Sequence, residues 1–298
     1  MKKFLINLLI FAAINLFLAV AYLVITQNLY SYHNWETKSV LLAVPKNKNY
    51  DLVILGASNG RSLSDAKNHL LVEKILGKKI FNLSKAAAGP IPEKAYLRYF
   101  YENGNSAKKI VYFLNPYAFY SDAWNEKLAF LNAEPLYLKF FEIAVKNGSS
   151  KEVLLSYVRS KFTLSWLAGI KPLPENSGPD DELTKIDSEQ VQNQLKFLYP
   201  NGLDKAAFSR YTDTLKKIVE LAHKNNSELI FAFPPTLVNE QPGKEEVKNF
   251  VLALGKENAG VRFFDWSQTI GDIRLYMDLD HLNAAGVGVF AKLIAESL

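Results

Sequence analysis

The sequence predicts an α/β protein: a three-layer α/β/α body around a mostly parallel five-stranded sheet, with a helical insertion and one N-terminal transmembrane helix. Three observations carry this reading. Short apolar runs alternate with stretches of helical periodicity, the pattern of βαβ units with helices on both faces of a sheet. The rhythm breaks once, between residues 117 and 204. One uncharged run near the N-terminus is long enough to cross about 30 Å of hydrocarbon.

That run comes first. After Lys2 and Lys3, residues 4–25 read FLINLLIFAAINLFLAVAYLVI without a charge. The lysines are expected to stay in the cytoplasm and the rest to be exported. Ala19-Val20-Ala21 has the small-residue pattern of a signal-peptidase site, but the apolar run continues through Tyr22 to Ile25, so residues 1–26 are expected to remain as an anchor. Asn7 and Asn15 share one helix face, either to pair with another membrane helix or as polar residues a span tolerates. Residues 27–50, polar and aromatic, read as a linker, and residues 51–298 as the folded domain.

The strands follow in order at residues 51–55 (DLVIL), 79–83 (KIFNL), 109–114 (KIVYFL), 228–233 (ELIFAF) and 261–264 (VRFF). Helical spacing between them is illustrated by Phe208, Tyr211, Leu215, Ile218 and Ala222, three or four residues apart on one face. No strand is expected across the insertion, about residues 120–204. Its helix-like segments are 125–147 and 151–167, and its Pro-, Gly- and Asp-rich arm at 170–187 is expected to be disordered. The last helix is expected over 283–298.

Composition removes several function classes. At 298 residues, 49% hydrophobic and 22% charged, the chain can bury a full core. The formal charge is +5, yet among 35 basic residues only Arg61, Arg98, Arg159, Arg210, Arg262 and Arg274 are arginine. Scattered lysines lack the bidentate fork that clusters on phosphates, so no nucleic acid is expected as partner. A mildly basic face towards an anionic envelope or membrane fits better. With no cysteine there is neither a disulfide nor a thiolate metal site. His33, His69 and His223 lack a cluster with Asp, Glu or another His at metal-ligand spacing, and neither a P-loop nor GxGxxG occurs. Neither metal nor cofactor is expected.

Two stretches carry chemistry. The first strand ends in GASNGRS, residues 56–62, so Ser58 stands at the carboxyl edge of a parallel sheet, where open α/β folds place ligands. Alone, this is also an ordinary tight turn. Near the C-terminus, DLDHLNAAG puts Asp278 three residues before His281. A carboxylate so placed can hold one imidazole nitrogen and leave the other free as a general base. Asp280, the competing partner, is expected to face away or cap the last helix. Arg61 is either a contact for an anionic substrate group or a solvated turn residue. The aromatic residues Tyr32, Trp35, Tyr96, Tyr99, Tyr117, Phe119, Tyr120 and Trp124 are either core or, for residues 117–124, a platform for sugar rings.

The pairing of ILGAS (54–58) with DLDHL (278–282) resembles the SGNH, or GDSL-type, hydrolase and acyltransferase superfamily, over about residues 51–298 excluding the insertion. The resemblance implies a flavodoxin-like fold. It implies Ser58 as nucleophile, Asp278 and His281 as its relay, and Gly89 (in NLSKAAAGP) and Asn115 (in FLNP) as oxyanion-hole donors. Two departures stand out: Ala57 replaces the Asp of GDS, and the GxND block is reduced to Leu114-Asn115-Pro116. The implied activity is extracytoplasmic O-acyl transfer to an envelope or exported polysaccharide, in the branch that includes polysaccharide O-acetyltransferases and the partner protein of teichoic acid D-alanylation. That branch implies a multi-span membrane-bound O-acyltransferase as partner and a glycan or teichoic acid-type polymer as substrate. The alternatives are an envelope carbohydrate esterase and a non-catalytic scaffold for such an acyltransferase.

Overall fold

The structure, a computed structural model, describes residues 1–29, 44–65, 68–126, 130–168, 182–238 and 240–298. Tyr32, His33, Trp35 and most of the 170–187 arm lie outside the described residues.

Helix α1, Lys2–Leu29, is apolar and long enough to cross a membrane. Within it Asn15 satisfies a donor on its own helix, giving its side-chain N–H to the Phe11 carbonyl at 2.8 Å. The sheet comprises β1 (Asn49–Leu55), β2 (Ile80–Asn82), β3 (Ser106–Phe113), β4 (Glu228–Phe233) and β5 (Val261–Asp265). All four pairings are parallel, in the order β2-β1-β3-β4-β5. This is the flavodoxin-like, doubly wound three-layer α/β/α order, in which the direction of strand addition across the sheet reverses between β1 and β3.

Alternation along the strands builds two cores. Val53, Leu55, Tyr112 and Phe231 face one side, covered by α4 (Pro90–Glu102), α9 (Lys205–Lys224) and α10 (Lys244–Glu257). Leu52, Ile54, Val111, Phe113 and Ile230 face the other, under α3 (Asn68–Leu76) and α11 (Ala284–Ser297). Strands buried on both faces explain the nearly continuous apolar runs in the sequence. On α9 the spaced residues Tyr211, Leu215, Ile218 and Ala222 are all buried, with Phe208 packed at the margin.

Between β3 and β4 the described residues hold no strand. They form 3-10 turns at Pro116–Phe119, Asp122–Trp124 and Phe130–Ala133, then α5 (Leu138–Lys146), α6 (Lys151–Ser160), α7 (Leu164–Ala168) and α8 (Ser188–Leu198). Of the helix anticipated over 125–147, the described residues form α5 and the 3-10 turn at Phe130–Ala133; Pro135, which cannot continue a helix, lies between the two. The one anticipated over 151–167 divides at Lys161, whose side chain turns inward to donate to the Asn132 carbonyl at 2.7 Å. At the described end of the arm, the Leu183 N–H donates to the Tyr276 carbonyl at 2.8 Å.

Candidate active site

Gly56 ends β1 with φ +146, and a Cβ there would sit 3.0 Å from Cβ of Phe113 on the neighbouring strand. Only glycine passes this close and takes that backbone. The chain then turns into α2 (Ser58–Arg61), which puts Ser58 at a helix start above the switch between β1 and β3. Among the described residues neither the Ser58 nor the Asn59 N–H meets a protein acceptor, as the first amides of a helix must find partners outside it.

The turn is held from below. Asn82, fully buried at the end of β2, donates to the Gly60 carbonyl at 2.8 Å and the Ser64 hydroxyl at 3.0 Å. The Lys85 N–H donates to the Gly56 carbonyl at 2.9 Å. Asn115, just past β3, accepts from the Asn59 side-chain N–H at 2.8 Å, and the Asn59 side-chain oxygen accepts from the Gly60 N–H at 2.9 Å. These bonds fix the Asn115 carboxamide; one of its N–H groups reaches the Asn59 side-chain oxygen at a long 3.5 Å, and its other N–H meets no protein acceptor among the described residues. Asn59 and Asn115 line a small recess with Phe233, Thr236, Gln241 and Asp280.

The C-terminal stretch closes the site. Asp278 accepts the backbone N–H groups of Asp280 (2.8 Å) and His281 (2.9 Å), which pins its carboxylate in a tight turn. The same carboxylate meets His281 Nδ1 at 2.8 Å, and His281 Nε2 meets Ser58 Oγ at 2.6 Å. With Nδ1–H given to the aspartate, Nε2 is the acceptor for the serine hydroxyl. Residues 223 positions apart are thus in proton-transfer contact.

Asp280 does face away from the imidazole, but it does not cap the helix. It accepts from Thr236 Oγ1 at 2.7 Å and Gln194 Nε2 at 2.6 Å, while Asn283 caps α11 by accepting the Gly286 N–H at 3.0 Å. Asp280 therefore ties the turn to the loop after β4 and to α8.

Charge and burial oppose each other here. Burial alone would lower the His281 pKa, but the hydrogen bond and charge of Asp278, with Asp280 beyond, lift it above its ordinary value. For Asp278 burial pushes upward, and the His281 contact with the two backbone N–H groups brings the carboxyl below its usual value.

The structure brings Ser58, Asp278, His281 and Asn115 to one edge. Arg61 lies beside them, half-exposed, with Nε 3.3 Å from Asp65. Gly89 departs from its expected role: its N–H donates to the Trp124 carbonyl at 2.8 Å, and a Cβ there would meet the Asn125 side chain at 2.7 Å. Its amide is engaged, and its missing side chain is what admits Asn125. The aromatics Tyr96, Tyr99, Phe119, Tyr120 and Trp124 are buried. Tyr117 packs edge-on to Trp124, with centroids 5.1 Å apart. Among the described residues no group of three metal-ligating side chains occurs. Sequence reasoning missed Asn59 and Asn82. Asn82 was visible as a lone carboxamide at the end of an apolar strand.

Fold and site together define an open, doubly wound α/β domain with a Ser-His-Asp line at the carboxyl edge of its sheet. No family model matches the sequence, and no curated protein matches it. Among solved structures, a protein of Bacteroides fragilis described as a "putative acylhydrolase" is similar at 11% identity and TM-score 0.42, over 86% of this chain and 91% of that one. That degree of likeness carries no argument about activity.

Proposed function

We propose that the chain is an SGNH-type, serine-dependent O-acyltransferase of the cell envelope, anchored by α1 with its N-terminus cytoplasmic and its catalytic domain outside. The 2.6 Å contact between Ser58 Oγ and His281 Nε2, with Asp278 on the other ring nitrogen, is the observation that carries this reading. His281 takes the Ser58 proton as Oγ attacks the acyl carbonyl, and Asp278 stabilises the imidazolium. The oxyanion falls to the Ser58 N–H and the Asn115 carboxamide, which Asn59 orients. His281 then protonates the leaving oxygen, and the acyl-serine passes its acyl group to a glycan or polyol hydroxyl activated by the same imidazole. A multi-span membrane-bound O-acyltransferase as donor and a glycan or teichoic acid-type polymer as acceptor complete the proposal.

A second reading, hydrolysis of an envelope ester, is favoured by the exposure of the site: the Asp278 side chain is 56% exposed, so water reaches the relay.

The test uses the full chain in detergent micelles with p-nitrophenyl acetate. A burst of nitrophenol, with one acetyl group mapped to Ser58 by mass spectrometry, is expected. Ser58→Ala should lose the burst and about a thousand-fold or more of turnover. Equal burst and turnover in the variant would refute the catalytic reading and leave a scaffold. Partition of the acyl group between added polyols and water separates transferase from esterase.

A further inference from the structure

The apolar run of α1 extends from Phe4 to Ile25 and is exposed along most of its length. Its last turns are covered on one face. Ala19, Ala21, Tyr22, Leu23 and Gln27 are half-covered, and Thr26 is buried. The cover comes from the helical insertion. The Tyr22 ring stacks on Phe162 with centroids 5.4 Å apart, the Tyr22 hydroxyl donates to the Lys161 carbonyl at 3.1 Å, and Gln27 accepts the Leu136 N–H.

This contact sets a depth. From Ala19 to Ile25 at 1.5 Å per residue, the insertion overlaps about 9 Å of the apolar run. If the whole run lies in hydrocarbon, the part of the insertion beside Tyr22 lies no higher than the interfacial layer. The side chains there suit that layer. Phe162 is 50% exposed, Leu164 84% and Leu167 40%, all within six residues. Scattered exposed leucines are ordinary on soluble surfaces, but here Phe162 stacks on Tyr22 of α1, at the depth expected of the aromatic belt, and the exposed Leu164 and Leu167 follow it directly in the chain.

We propose that residues 162–167 dip into the outer leaflet, so that the domain binds the lipid bilayer directly as well as through its anchor. The occupant of this surface is lipid: the burial depth expected of an interfacial helix, about 5–10 Å, matches the overlap along α1. The docked insertion then fixes the orientation of the domain on the membrane, where a linker alone would leave it free. This rests on the reading that α1 spans the bilayer, and is independent of the catalytic proposal.

The chain has no cysteine, so single-cysteine probes can be placed cleanly. Leu9→Cys, Leu164→Cys, Leu167→Cys and Lys256→Cys, each in the full chain, are labelled with an environment-sensitive fluorophore. They are then reconstituted into phosphatidylcholine vesicles containing brominated lipid. The Leu9 probe reports the span, and the Lys256 probe, exposed on α10, reports the aqueous baseline. We expect quenching at positions 164 and 167 at least about threefold above that at 256, as for side chains buried in the headgroup and acyl boundary. Quenching at position 9 with positions 164 and 167 at the baseline would overturn the leaflet contact and leave the anchor standing. No quenching at position 9 would overturn the anchor and the leaflet contact together.

Discussion

At the residue scale the imidazole makes the sharpest prediction. Because Asp278 and Asp280 lift the His281 pKa above 6.5 against the pull of burial, the neutral base is present only at higher pH. The acid limb of kcat/KM for p-nitrophenyl acetate should therefore lie above pH 6.5. In Asp278→Asn, burial remains and the attraction to Asp278 is gone, so the limb should move down in pH while kcat falls by about 1000- to 10,000-fold through loss of the ring orientation. A limb that stays in place would separate Asp278 from the base. A second residue, beneath the site, is shifted in the same direction by the opposite cause, burial itself. Glu93 of α4 is fully buried, and burial pushes its carboxyl well up against the pull of the Gly56 and Lys85 amides facing it. Its folded pKa exceeds its unfolded one, so the folded state holds the extra proton and stability should fall as pH rises above about 4.5. Glu93→Gln should flatten that slope in denaturation curves taken across pH. An unchanged slope would assign it to other groups.

At the element scale, α11 is a lever on the site, because its cap lies two residues past the imidazole. Asn283 accepts the Gly286 N–H and also donates to the Arg274 carbonyl at 2.7 Å. Asn283→Ala should cost about 0.5–2 kcal/mol, read from urea denaturation, with the position of the pH limb unchanged. A loss of activity out of proportion to stability would show that the cap also positions the relay. Elements of this kind were the legible part of the sequence. Strands buried on both faces announce themselves as apolar runs, and five were placed to within a few residues. The Ser58, Asp278 and His281 trio was legible because each residue adjoins a recognisable element end. The Gly89 amide was not, because its fate depends on Trp124, a residue 35 positions away whose carbonyl reaches it only after the insertion has folded. Asn59 was hidden for the same reason: its partner Asn115 comes from another strand. The helix breaks at Pro135 and Lys161 divide on visibility. A proline declares itself, whereas a lysine drawn inward by two carbonyls does not.

At the scale of the whole molecule, the apolar helix α1 and the loop that carries Ser58 are joined by a continuous series of contacts. Tyr22 of α1 holds the Lys161 carbonyl, Lys161 Nζ reaches the Asn132 carbonyl, and two residues on Glu134 pairs with Lys85 and accepts from the Tyr96 hydroxyl at 2.7 Å. Lys85 in turn holds the Gly56 carbonyl through its backbone. Glu134 is wholly buried, so removing Lys85 takes an ion-pair partner from a carboxylate shielded from water. Lys85→Met should destabilise the full chain by about 3–5 kcal/mol, and Lys85→Met combined with Glu134→Leu should recover most of that loss, since apolar replacement of a whole buried pair is often neutral. The two variants also separate structure from catalysis. The double variant keeps the backbone bond to Gly56 but loses the side-chain clamp that holds the insertion against that loop. If the clamp positions Ser58, kcat stays low in the stable double variant while KM is unchanged. If it serves stability alone, kcat returns with the fold. Denaturation midpoints and steady-state kinetics on the same micellar preparations decide between these outcomes.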